Sequence, residues 1–170
     1  MFEINYNSKY SEELNKEKET QRVDIHSFHR YYGKLIPAIP SYFIKKFTKE
    51  NDIIFDPFAG SGTVAVEAKR LNRNFAGVEI NPLSVEIAKT KTYDLEPEIL
   101  SKINNELLDL IEEDKSEVKE EEKPYIMNRD HWFKEFVQED LIRIKKDIDK
   151  YFDKNKNYSS EYKKFYLLTL

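Results

Sequence analysis

The stretch best equipped for chemistry is Asp56-Pro57-Phe58-Ala59-Gly60-Ser61-Gly62-Thr63. Its two glycines carry no β-carbon, so the backbone can turn sharply there and a ligand can lie against it. The run Asp52-Ile-Ile-Phe-Asp56 ahead of it is short and apolar, which predicts a buried strand. Behind it, Val64, Ala65, Ala68 and Leu71 recur at helical spacing within Ser61 to Leu71. A loop between such a strand and helix lies at the carboxyl edge of a sheet, where ligands of open α/β folds bind. The first amides of the helix have no partner within it and are available to an acceptor. Asn74 to Ile80 predicts a second short strand, and Glu79 at its end follows the glycine loop by about 20 positions. At that spacing an acidic side chain can accept from the hydroxyls of a ribose.

A phosphate is one candidate for the loop, but the Lys-Ser/Thr ending of a phosphate-binding loop is absent and Asp56 would repel an anion. A ligand with both a carboxylate and a cationic part fits better. S-adenosylmethionine has a carboxylate, an ammonium, a sulfonium and a ribose. Taken singly, Asp56 serves equally well as a helix cap and Glu79 as an ordinary exposed carboxylate. It is strand, glycine loop and spacing together that favour the ligand.

The elements that must position these residues follow from the same patterns. Leu83 to Lys91, after Asn81-Pro82, predicts a second helix, and strand-helix-strand-helix alternation implies a parallel sheet with covering helices. All four glycines, Gly33, Gly60, Gly62 and Gly77, and four of the six prolines fall between Arg30 and Pro82. Three parts are expected: a polar arm over 1–25, an α/β segment over 26–97, and a helical part over 98–170. In the last, Ile99, Ile103, Leu107, Leu110 and Ile111 predict a helix that frays into the acidic tract Glu112 to Lys123. Phe133, Phe136, Val137, Leu141, Ile144, Ile148 and Phe152 then trace one face of a long amphipathic helix, with His131 and Trp132 at its start and Trp132 in the core. Tyr162 to Leu170 turns apolar and ends without a capping glycine or polar tail, so a longer protein or a covering chain is expected.

Composition narrows the classes. The chain is 35% charged but 14% aromatic, too aromatic for a coreless polymer. A net charge of -4 argues against holding nucleic acid alone, which draws on clustered Lys and Arg. The absence of cysteine excludes disulfides and thiolate metal sites, and His26 with His29 lacks a third ligand for zinc. No apolar run reaches membrane-spanning length. A cytoplasmic protein is expected.

The chain resembles the DNA amino-methyltransferases that modify the exocyclic nitrogen of adenine or cytosine. Asp56 to Thr63 is similar to the family's motif I, Val78-Glu79-Ile80-Asn81-Pro82 to the motif after it, and His26 to Pro37 (His-Ser-Phe-His-Arg-Tyr-Tyr-Gly-Lys-Leu-Ile-Pro) to motif X, which completes the methionine end of the cofactor pocket. These three elements, in the family's order, cover about residues 26 to 92. The resemblance implies a partial Rossmann-like methyltransferase fold, parallel strands with covering helices, followed by a helical extension. It also implies a cofactor site for S-adenosylmethionine built from His29, Tyr31, Tyr32, Gly33, Lys34, Asp56, Pro57, Phe58, Ala59, Gly60, Ser61, Gly62, Thr63, Glu79, Ile80 and Asn81. No metal ligand is implied.

In that family the transfer uses an Asp/Asn/Ser-Pro-Pro-Tyr/Phe motif, and no Pro-Pro pair occurs in this chain. The motif supplies acceptors that free the lone pair of the conjugated amine, and its aromatic residue stacks on the flipped base. The chain is therefore expected to be the cofactor-binding fragment or split subunit of a DNA methyltransferase of a restriction-modification system, without catalytic residues of its own. DNA would be engaged through the complete enzyme, with a carboxyl-terminal part, a complementary subunit or a second copy as partner, and no membrane. An RNA or small-amine methyltransferase is the alternative enzyme, disfavoured by the His-Arg-Tyr-Tyr-Gly-Lys run. A cofactor-binding subunit that never reacts is the alternative outside enzymes.

Overall fold

The structure, a computed structural model, describes residues 24–29 and 33–169. Nearly all of the polar arm, together with Tyr31 and Tyr32, lies outside the described residues. The chain divides into two compact units, one running to Tyr93 and one from Asp94.

The first unit is α/β. After a single 3-10 turn, Asp24–Ser27, helix α1 spans Ala38–Phe47. No helix is expected here from the sequence, and Pro37 and Pro40 are residues that ordinarily interrupt one. Both sit where the helix has no need of their amides, at its cap and in its first turn. Ala38, Ser41 and Ile44 turn its buried face inward. Strand β1, Ile53–Asp56, and strand β2, Asn74–Gly77, form a two-stranded parallel sheet in the register Ile53↔Asn74 to Asp56↔Gly77. Helix α2, Thr63–Arg70, makes the crossover, and helix α3, Pro82–Lys91, follows β2. Pro82 occupies the first turn of α3 and the Asn81 side chain caps it by accepting from the Leu83 amide at 3.0 Å. Ala65, Val66, Ala68 and Ile87 are buried between these elements. On the opposite sheet face, Ile53 and Phe55 are 71% and 64% exposed.

Strand β2 is shorter than the 74–80 expected. Val78 still donates to the Asp56 carbonyl at 2.9 Å and accepts from Ala59 at 3.0 Å. One residue on, the Glu79 carboxylate binds backbone amides and turns the chain away from the sheet.

The second unit is helical: α4 over Pro97–Glu113, α5 over Glu135–Lys154 and α6 over Ser160–Thr169. Its core joins Ile103 and Leu107 to Ile148, Tyr151, Phe152 and Tyr162. The placement of Trp132 in the core is corrected here. It lies in a separate single turn, Arg129–Trp132, and is 70% exposed. Phe133 leaves that turn in an extended conformation, so neither His131 nor Trp132 begins the long helix. Phe136 is exposed too, and the apolar face is buried towards its carboxyl end, at Ile148 and Phe152. The acidic tract leaves α4 at Asp114 and is held by Glu120, which pairs with Lys123 and Arg129. No helix among the described residues is long and apolar enough to cross a membrane.

Candidate cofactor site

The site is built where β1 ends. Asp56 Oδ1 accepts from the Phe58 amide at 2.9 Å, which folds the chain over the strand end. Gly60 (φ +51°) and Gly62 (φ +82°) are both left-handed, and Gly62 donates to the Ala59 carbonyl at 2.9 Å before Thr63 opens α2. Gly62 is constrained twice. A β-carbon there would stand 2.6 Å from Ala88 Cβ and 2.8 Å from Ala88 Cα, so its absence lets α3 pack directly on the loop.

Glu79 ties the two strand ends together. Its Oε1 accepts from the Asn81 amide at 2.8 Å and its Oε2 from the Gly60 amide at 2.9 Å. These bonds, Asn81's foremost, outweigh partial desolvation and hold the carboxyl below the usual carboxylate range. A carboxylate offers about four acceptor positions, so capacity remains for incoming hydroxyls.

Two clefts meet at Ala59 and Gly60. One, of about 100 Å³, is lined by Gly33, Lys34, Leu35, Asp56, Phe58, Ser61, Thr63 and Val64 as well. The other, of about 160 Å³, adds Glu79 to a mainly apolar wall of Ala65, Phe75, Val85 and Ala88. Of the residues singled out in the sequence, the structure thus gathers Gly33, Lys34, Asp56, Phe58, Ala59, Gly60, Ser61 and Thr63 around one cleft, with Glu79 on the next. Pro57, Gly62, His29, Ile80 and Asn81 line neither. Ile80 is 98% exposed just past Glu79, and the Asn81 side chain is occupied in capping α3.

Upstream, the Lys34 ammonium donates to the carbonyls of His26 (2.9 Å) and His29 (3.3 Å), closing the segment into a loop. His26 is fixed by Glu67 on α2, with Nε2 2.8 Å from Oε1. Glu67 is fully buried, and its other oxygen accepts from Arg70, which also reaches Ser41 on α1. Burial opposes ionisation of Glu67, but the bonds from His26 and Arg70 win and keep its pKa below the usual value.

Sequence reasoning passed over Glu67 and Lys91. Both are charged residues on buried helix faces, Glu67 among Ala65, Val66 and Ala68, and Lys91 one turn after Ile87. Because buried charges require partners, that misfit with the apolar face was the available clue.

The arrangement is a glycine loop at a parallel-sheet edge with a carboxylate at each strand end, and relatives supply the family. Residues 4–90 match the N6/N4 DNA methylase family, and the chain belongs to it. It is 38% identical over 103 residues to the Type II methyltransferase M.MjaII of Methanocaldococcus jannaschii, across 61% of this chain and 19% of that protein. It is 33% identical over 158 residues to M.MvaI of Kocuria varians, across 88% of this chain and 34% of that protein. A shorter match, 62% identical over 34 residues, links it to M.HindIII of Haemophilus influenzae, across 20% of this chain and 11% of that protein. The chain therefore spans about a third or less of these relatives. No solved structure matches it. Membership in a DNA methylase family implies S-adenosylmethionine as methyl donor.

Proposed function

We propose that this chain is the S-adenosylmethionine-binding part of a DNA methyltransferase acting on an exocyclic amine of adenine or cytosine within a restriction-modification system. The observation that carries the reading is Glu79, whose carboxylate spans the Gly60 and Asn81 amides where the two clefts meet. In this reading the cofactor's methionine end lies in the cleft of Lys34, Asp56, Ser61 and Thr63, its ribose on Glu79, and its ring beside Ile80. His29, Tyr31, Tyr32 and Gly33 border the methionine end, and Pro57 to Gly62 form the loop beneath. Bound there, the cofactor supplies an electrophilic methyl group; the residues named orient it and exclude water.

Amine activation belongs to a part of the enzyme beyond these residues, since the chain contains no Pro-Pro-aromatic sequence. The open sheet face supports this division, because parallel sheets are normally covered on both sides and Ile53 and Phe55 are not. Further strands of the same enzyme, in the chain or in a complementary subunit, are the cover this reading requires.

Calorimetric titration with S-adenosylmethionine tests the proposal. The wild type should bind, and Glu79→Ala should bind about tenfold more weakly or worse, the usual loss for a charge-assisted hydrogen bond. Absence of binding by the wild type refutes the cofactor reading, whereas equal binding by both proteins refutes only the ribose assignment. With tritiated cofactor and mixed-sequence DNA, this chain alone should transfer no label. Transfer would place catalytic residues among these 170.

A further inference from the structure

Lys91 ends α3 on the face that also carries Ser84 and Ile87, so its side chain runs inward under the glycine loop. It is 5% exposed, and its ammonium donates to the Ser61 carbonyl at 3.1 Å. Among the described residues no carboxylate pairs with it. Nearby acidic groups are engaged elsewhere: Glu67 with His26 and Arg70, Asp56 with the Phe58 amide, Glu79 with Gly60 and Asn81, and Glu86 with Lys89. Lys69, on the facing helix, donates to the Thr92 carbonyl. The charged group whose field acts on Lys91 is another cation, Lys34, which lines the same cleft as Ser61. Burial first, and Lys34 second, pull the Lys91 pKa down to about 8.

A buried cation set beside a second cation is costly unless something negative completes the site. The loop's own carboxylate, Asp56, is bound to the Phe58 amide and forms no ion pair with Lys91, whereas an amino-acid carboxylate could complete the site. Ser61 links the two, since its carbonyl is held by Lys91 from below while its cleft opens above.

We propose that Lys91 is a positioning residue of the cofactor site, fixing the Ser61 carbonyl from beneath the loop and adding its charge to that of Lys34 where the carboxylate end of the cofactor lies. The proposal rests on the S-adenosylmethionine reading and extends it to a residue outside the glycine loop. Its sign follows from titration. Below about pH 8 the ammonium is charged and favours the carboxylate; as pH rises through that value the contribution is lost. A bound carboxylate moves that point upward.

The test is calorimetric titration of S-adenosylmethionine into wild type, Lys91→Met and Lys91→Arg between about pH 6.5 and 9.5. The ligand's own α-amine titrates near pH 8, at about 7.7–8.0, so the differences between proteins are the readout. At pH 7 Lys91→Met should bind about tenfold more weakly than wild type, roughly the effect of one lost charge-assisted bond. The gap should close as pH rises, while Lys91→Arg should bind like wild type at pH 7 and more tightly than wild type at the alkaline end. No gap at pH 7, or a gap unchanged across the range, overturns the proposal while leaving the cofactor reading intact. No binding by the wild type overturns both. Should Lys91→Met fail to fold by circular dichroism, the arginine comparison decides: matching profiles for wild type and Lys91→Arg overturn the proposal.

Discussion

Gly62→Ala should destabilise the α/β unit far more than Gly60→Ala, although both glycines are left-handed and two residues apart. Alanine at φ +82° carries a steric cost of about 1–2 kcal/mol. To this the structure adds contacts of 2.6 Å with Ala88 Cβ and 2.8 Å with Ala88 Cα, neither at the end of a flexible side chain. Overpacking of this kind costs about 1–3 kcal/mol, so the total is about 2–5 kcal/mol. At Gly60 the nearest atom, the Phe58 carbonyl oxygen, is 3.9 Å away, leaving only the backbone cost of about 1–2 kcal/mol. Urea unfolding followed by far-ultraviolet circular dichroism measures both, provided the m-values agree. Adding Ala88→Gly removes the closer contact and keeps the one at Cα, so the double variant should recover part of the loss beyond additivity. Equal costs for the two glycine variants, or strict additivity with Ala88→Gly, would falsify the claim that the loop is pressed against α3.

Glu67→Gln should lower stability by about 2–3 kcal/mol at neutral pH, less than the ~3–5 kcal/mol of a wholly buried pair because Arg70 is 33% exposed. The folded-state pKa of Glu67 is below its unfolded value, so its contribution is present above the unfolded pKa and lost as pH falls through the folded one. The acid limb of a thermal-melting profile should therefore be shallower in Glu67→Gln, and an unchanged limb would show that the His26–Glu67–Arg70 cluster contributes little. In the helical unit, Tyr162 accepts from the Glu96 amide at 3.1 Å and so caps α4, whose own Glu96 side chain does not. Tyr162→Phe should cost about 1 kcal/mol in urea unfolding, and no loss would mean that water replaces the cap.

The strand-loop-helix unit was legible because its cues are local: an apolar run, glycines at fixed spacing, and helical periodicity behind them. Strand β1 and helix α2 emerged within a residue or two of the expected positions. Helix α1 was hidden by its two prolines, whose harmless placement depends on where the helix begins. Trp132 misled because periodicity cannot see the extended residue Phe133 that separates its turn from α5. Glu67 and Lys91 show locally only as charges misplaced on apolar faces; what they bind was illegible for a related reason. Their importance comes from pairs 41 and 30 residues apart in sequence, His26 with Glu67 and Ser61 with Lys91, which no local pattern records.

Under the proposed cofactor reading, the distribution of charge favours an amino-acid cofactor over a phosphate. A phosphate needs amides and cations on every side, and here the strand ends present two carboxylates, Asp56 and Glu79, each already turned towards the loop's amides. Glu79 consumes the Gly60 amide that a phosphate would use, and as a carboxylate held below its usual range by the Asn81 and Gly60 amides it is negative at neutral pH. Lys34 and Lys91 counter this on one side only, that of Ser61. A site negative along the strand ends and positive beneath the helix start matches a ligand whose own charges are separated in the same way. Such recognition is local and favours the cofactor in its ground state. It cannot lower the barrier to methyl transfer, which needs contacts that strengthen in the transition state, at the amine. In the proposed reading binding and reaction reside in different parts of one enzyme, with the residues gathered here assigned to the first.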